Sequence, residues 1–105
     1  MFDLLIHNGL KALLSEAIPA ISASTQIFAN APAGTQYIEI TVRSQSITLR
    51  FDGSAATAGA NGHDYAAGGS YGLQLNQTNA LLVRAIQGAA TATGWITYFA
   101  AVGGQ

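Results

Sequence analysis

An all-β fold is expected here: an antiparallel β-sandwich or jelly-roll-like arrangement with a short N-terminal arm or helix. Three observations point to it. Residues 37–53, YIEITVRSQSITLRFDG, hold two strictly alternating runs on either side of a short polar break. Further short alternating runs recur between Gly-, Ala- and Pro-rich turns. The last two runs, residues 80–86 and 95–102, are apolar on both faces. Period-two alternation marks half-buried strands, and several short strands between turn signals argue for a sandwich or a barrel. At 105 residues the chain is long enough for one domain and one modest core. The expected division is an arm over residues 1–17 and a β-sandwich domain over 18–105.

The central runs set the frame. Ile38, Ile40 and Val42 share one face of the first; Ile47, Leu49 and Phe51 share one face of the second. Antiparallel pairing about Ser44 and Gln45 would set Val42 opposite Ile47, Ile40 opposite Leu49 and Ile38 opposite Phe51. The same register would place Glu39 opposite Arg50 and Thr41 opposite Thr48, so both faces are satisfied at once. Ser44 and Gln45 are poor at the positive φ of a tight primed turn, so a wider tip is expected.

The other elements follow in order. Phe2, Leu5, Ile6, Leu10, Leu13 and Leu14 approximate a helical stripe, and Pro19 would end it. Asn8-Gly9 is a turn signal within that stretch. The expected compromise is an extended segment up to His7, then a helical turn or two over residues 10–17. Residues 20–28 alternate as an edge-like strand, and residues 30–34, NAPAG, form a loop. Residues 54–70 are small, polar and Gly-rich, a length of loop that is functional or hides short strands. Tyr71, Leu73 and Leu75 mark another strand, residues 76–79 a turn, and residues 80–86 and 95–102 the last two strands.

Composition narrows the function. Half the residues are hydrophobic and only 9% are charged, against about 25% charged in typical soluble domains. Such a neutral surface suits a subunit within an assembly. Net charge is −1 with no basic cluster, which argues against nucleic acid, since phosphate binding needs several Lys or Arg. There is no cysteine, hence no disulfide framework or thiolate metal site. No window supplies about 20 uninterrupted apolar residues for a membrane span. The N-terminus lacks the basic start and clean apolar run of a signal peptide.

No catalytic, cofactor or metal site is expected. His63-Asp64 could be a base with its orienter or a metal ligand, but His7 is the only other histidine. Asp52-Gly53 reads as a turn. There is no G-x-S-x-G elbow and no G-K-[ST] phosphate loop. Asn76-Gln77-Thr78 matches a glycosylation acceptor, a three-residue pattern that arises often by chance. Tyr65 and Tyr71 flank the Gly-rich loop and could stack on a sugar ring.

From Tyr37 onward the chain resembles small virion proteins of tailed bacteriophages. Three features carry the resemblance, in order along the chain: Arg50-Phe51-Asp52-Gly53 at a strand end, Gly62-His63 followed by Ala67-Gly68, and a closing hairpin with Val83-Arg84-Ala85-Ile86 and Thr97-Tyr98-Phe99. The family often has Pro-Thr after Asp-Gly, where this chain reads Ser54-Ala55-Ala56-Thr57. The resemblance implies a jelly-roll-like protein, often trimeric, that acts as head decoration, cement or head–tail accessory. It would be made in the bacterial host cytoplasm and reside on the virion. Its partners would be the phage major capsid protein or another virion protein.

Two interfaces are then expected. Phe2, Leu4, Leu5 and Ile6 lie outside the sandwich pattern and would dock on the shell. Leu82, Ile86, Ile96 and Tyr98 form the second apolar face and would build a homo-oligomer, expected to be a trimer. The alternative is a carbohydrate- or receptor-binding sandwich using Tyr65, Tyr71 and Asp64.

Overall fold

The computed structural model describes residues 9–101. Among the described residues eight strands form two four-stranded antiparallel sheets, and the fold is mostly β, with a four-residue helix. The strands are β1 (Leu10–Ala17), β2 (Thr25–Gln26), β3 (Tyr37–Ser44), β4 (Ile47–Arg50), β5 (His63–Tyr65), β6 (Gly69–Leu73), β7 (Arg84–Gln87) and β8 (Thr93–Ala101). The helix, α1 (Gln77–Ala80), lies between β6 and β7. The first sheet has the order β1-β8-β3-β6 and the second β2-β7-β4-β5.

One apolar cluster joins the sheets. Ile38, Ile40, Val42, Ile96 and Tyr98 enter it from the first sheet and Ile47, Leu49 and Ala85 from the second. Loop residues Ile21, Ile27 and Phe28 are fully buried with them. Phe28 meets Tyr98 edge-to-face at 6.2 Å, a favoured aromatic geometry. Phe51 sits beside the core, only partly buried.

The expected β3–β4 hairpin is corrected. The two strands do not pair: β3 lies between β8 and β6, and β4 between β7 and β5. Glu39 sits opposite Thr97 and Gly72, not Arg50, and Thr41 opposite Trp95 and Ser70, not Thr48. The apolar rows do meet, but across the core from opposite sheets. Alternation fixes which face a strand buries and leaves its ladder partner open. β3 gains more ladder from β8 and β6 than four-residue β4 could offer. Gln45 makes the crossover with φ +59, a strained value for a residue with a side chain. Its Oε1 accepts from the Ala89 backbone N–H at 3.0 Å and steadies the link.

Residues 10–17 are also corrected, from helical turns to the edge strand β1 paired with β8. A register shift between Ala12 and Leu14 places an extra residue in β1. Such a bulge resets the alternation, so Leu10, Leu13 and Leu14 mimic helical spacing. The expected strand over residues 20–28 shrinks to β2, because Ile21, Ile27 and Phe28 leave the ladder to fill the core. The expected turn at residues 76–79 is the start of α1, capped by the Asn76 side chain accepting from the Asn79 N–H at 2.8 Å. Residues 80–82 are helix and turn, so the strand expected from Ala80 begins at Arg84.

Candidate functional site

The two sequence features that follow the central runs come together at one end of the sheets. Arg50, Phe51, Asp52, Gly62 and His63 line an open depression of about 430 Å³. Arg50 ends β4 and His63 begins β5, in adjacent antiparallel strands. The link between them is made by turn chemistry. Asp52 Oδ1 accepts from the Ser54 backbone N–H at 3.0 Å, and Gly53 adopts φ +86. Gly62 is required: its φ is +141, and a Cβ there would lie 2.5 Å from the Leu49 carbonyl oxygen.

Charge in the depression is internally balanced. Arg50 faces Arg84 across the β4–β7 ladder, a like-charge pair that disfavours the sheet. Asp52 offsets it, accepting from Arg50 Nε at 3.1 Å and Nη2 at 3.3 Å. The Ser54 N–H and then the Arg50 guanidinium hold the Asp52 carboxyl below its ordinary value. The His63 ring packs on Phe51 at 5.8 Å. His63 and Asp64 are successive strand residues and point to opposite faces. Asp64 instead accepts from Thr48 Oγ1 at 2.7 Å, so it does not orient His63. Among the described residues no group of three or more metal-capable side chains converges.

The residues suggested for sugar stacking are engaged with each other. Tyr65 and Tyr71 meet edge-to-face at 4.9 Å, and both pack against the core. The Tyr71 hydroxyl donates to the Ala66 carbonyl at 2.8 Å. Burial, reinforced by Tyr71, pushes the Tyr65 phenol up.

The expected oligomer face is redistributed. Ile96 and Tyr98 are fully buried in the core of a single chain, so they present no surface. Ile86 is half-buried in β7, and Leu82 is 44% exposed in the turn after α1. β8 is apolar on both sides, and it takes the phase that puts Trp95, Thr97 and Phe99 on the side away from the core, where Phe99 packs on Tyr37 and is buried. Trp95 is 43% exposed. It lines a second depression, of about 440 Å³, with Ile18, Pro19, Arg43 and Ala92 among its walls. Trp95 is not among the residues expected to form an interface. The signal for it was the row Thr93-Trp95-Thr97, whose threonines mark the solvent side. The proposed shell-docking residues Phe2, Leu4, Leu5 and Ile6 lie outside the described residues.

The Tyr98 hydroxyl reaches the core's margin and donates to Glu16 Oε2 at 2.6 Å, while Asn30 Nδ2 donates to Glu16 Oε1 at 2.8 Å. Burial, and then Glu16, push the Tyr98 phenol well above its ordinary value. This network ties the edge strand β1 to the core.

Comparison with family models, with curated proteins and with solved structures finds no match to this chain.

Proposed function

We propose that the protein is a non-enzymatic structural subunit of a phage virion, a jelly-roll β-sandwich that binds the assembled head and stabilises it. The observation that carries this reading is the strand order. The ladder neighbours β1/β8, β2/β7, β3/β6 and β4/β5 are the pairs made when one long antiparallel ribbon is rolled up. Rolls of this kind recur in viral shell and lectin domains. Fold alone does not choose between those uses. The low charge favours an assembly subunit. So does the meeting, in one depression, of Arg50, Phe51, Asp52, Gly62 and His63, which belong to the motifs of the phage resemblance.

Docking is assigned to the end of the sheets where β1 begins. The β1–β8 and β8–β3 registers put the start of β3 at that same end, and the two-residue link from β3 to β4 sends β4 back across the core toward it, with the 51–62 loop following. The N-terminal segment and the Arg50–His63 depression then address the shell together. Homo-oligomeric subunits would hold several shell contacts at once, so weak contacts sum to firm retention. A protein that binds only the assembled shell stabilises it by mass action.

The test is to locate the protein on purified particles and to delete residues 1–8, leaving β1 intact. The truncated chain is expected to fold and to lose shell attachment. Particles without the protein are expected to release DNA at lower temperature. Absence from particles, or presence only at the tail tip with head stability unchanged, would overturn the reading.

A further inference from the structure

The outward face of the first sheet is mostly uncharged around Trp95. Its central row reads Ala17, Trp95, Thr41, Ser70 across the four strands. The next row reads Ser15, Thr97, Glu39, Gly72. The hydroxyls are satisfied within the face: Ser15 with Thr97 at 2.8 Å, Thr41 with Ser70 at 2.9 Å, and Ser44 with Thr93 at 2.8 Å. A face whose polar groups are already paired loses little on leaving water. Ala17 and Thr41 flank Trp95 with small side chains, and Trp95 stays 43% exposed.

Two charges on this face, Glu39 and Arg43, form no ion pair among the described residues. Among the described residues the one ion pair is Arg50–Asp52, and the charge of Glu39 acts on the neighbouring Tyr37 phenol rather than on a cation. Both lie on β3, two residues before and two after Thr41. At about 3.4 Å per residue they stand roughly 7 Å to either side of the Trp95 row. A two-fold axis lying along that row would set Glu39 of one copy over Arg43 of the other, twice. The same operation would set the two Trp95 rings against each other at the centre, where the interface needs its aromatic anchor.

We infer that this face, centred on Trp95 and bracketed by Glu39 and Arg43, pairs with a second copy of the chain across a two-fold axis. The occupant is a second copy because the charge pattern is complementary to itself under that rotation. The area is adequate. Four strands about 4.8 Å apart and about seven residues of strand give a face of roughly 19 by 24 Å, so two such faces bury on the order of 1,000 Å², the lower end for specific interfaces. The pairing is two-fold, in place of the three-fold state expected from the sequence, and depends on the sheet face alone, not on where the protein resides.

The experiment is sedimentation equilibrium of the full chain from low micromolar to a few hundred micromolar, with circular dichroism to verify folding of each variant. Wild type is expected to be a dimer that weakens as salt rises. Glu39→Arg and Arg43→Glu are each expected to raise the dissociation constant about tenfold or more, and Trp95→Ala about thirtyfold. The double variant Glu39→Arg/Arg43→Glu is expected to recover dimerisation. Mixing the two single variants is expected to yield a heterodimer, since two acidic positions then face two basic ones. A monomeric wild type, a trimeric mass, or single variants that dimerise like wild type would each overturn the inference. So would a double variant that stays as weak as the singles.

Discussion

The first sheet is built from strands of 8, 9, 8 and 5 residues, and the second from strands of 2, 4, 4 and 3. Long ladders hold the first sheet. The second depends on side chains and loops: Gln26 Nε2 donates to the Leu81 carbonyl at 2.7 Å, Arg84 Nη2 to the Ser24 carbonyl at 2.8 Å, and the Ala56 N–H to Ser24 Oγ at 3.0 Å. Their outer faces differ in the same sense. Thr48 lies on the outer side of β4, yet is only 4% exposed. The Gly59 N–H reaches its Oγ1 at 3.1 Å, and Gly62 and Asp64 close over it. The loop over residues 54–62 therefore covers the second sheet at Thr48, while on the outer side of the first sheet Trp95 stays 43% exposed although Phe99, packed on Tyr37, is buried.

The largest expected effect comes from breaking what the sheets share. Phe28 is fully buried and packs on Tyr98. Phe28→Ala should cost about 3–5 kcal/mol in urea unfolding, with both sheets lost in one transition. A loss below about 1 kcal/mol would mean that the two sheets do not rest on this ring. Phe51→Ala should cost less than Phe28→Ala, because Phe51 is only partly buried.

Two glycines then separate the sheets. A Cβ on Gly94 would run into the Thr41 carbonyl within the β3–β8 ladder and into Ile18 Cδ1. A Cβ on Gly62 would meet the Leu49 carbonyl at 2.5 Å and Thr48 Cγ2 at 2.8 Å, in a backbone of positive φ. Each alanine should cost about 2 kcal/mol or more. Amide exchange should distinguish them. Gly94→Ala should speed exchange across the whole domain, whereas Gly62→Ala should loosen β4 and β5 and spare β1 and β8. Equal loosening of both sheets by Gly62→Ala would remove the distinction between ladder-held and loop-held halves.

Much of this was legible in the sequence, and the gaps have physical causes. The buried positions Ile38, Ile40, Val42, Ile47 and Leu49 follow from alternation alone. Their ladder partners do not, because a row that faces the core can do so from either sheet. The turn at Asp52-Gly53 was readable because both residues act locally. The phase of β8 was not, because Ile96 and Tyr98 match Trp95 and Phe99 in apolar character. The bulge in β1 hid a strand behind helical spacing. The cover over Thr48 was invisible, since residues 54–62 are small and glycine-rich and read as flexible. An isolated threonine between Ile47 and Leu49 was the available hint.

A smaller contrast lies in two threonines. Thr48→Val removes the hydroxyl that joins Asp64 and Gly59 under the loop and should cost about 1–2 kcal/mol, as loss of a buried hydrogen-bonding group does. Thr41→Val removes only the hydroxyl contact with Ser70 on the first sheet's outer side and should change monomer stability by less than about 0.5 kcal/mol. Chemical denaturation of both variants checks the pair. Similar losses would place Thr48 in an environment no more enclosed than that of Thr41.

The smallest expected effects are in pH dependence, and the two sheets should respond at opposite limits. Asp52 follows the second sheet's β4, and its carboxyl is held below the ordinary value by the Ser54 N–H and then Arg50. A depressed carboxyl favours the folded state above its unfolded value, near pH 4, and that contribution fades as pH falls through the folded value. Tyr98 belongs to the first sheet, and burial and then Glu16 raise its phenol. The folded protein keeps that proton where the unfolded chain, near pH 10, gives it up, so stability should fall as pH rises beyond about 10. Asp52→Asn should flatten the acid limb and leave the alkaline limb unchanged. In an ultraviolet titration, Tyr98 should ionise only as the protein unfolds, while Tyr98→Phe should remove that coupled step. Phenolate absorbance that appears in full before any loss of structure would show that the Tyr98–Glu16 contact does not hold β1 to the core.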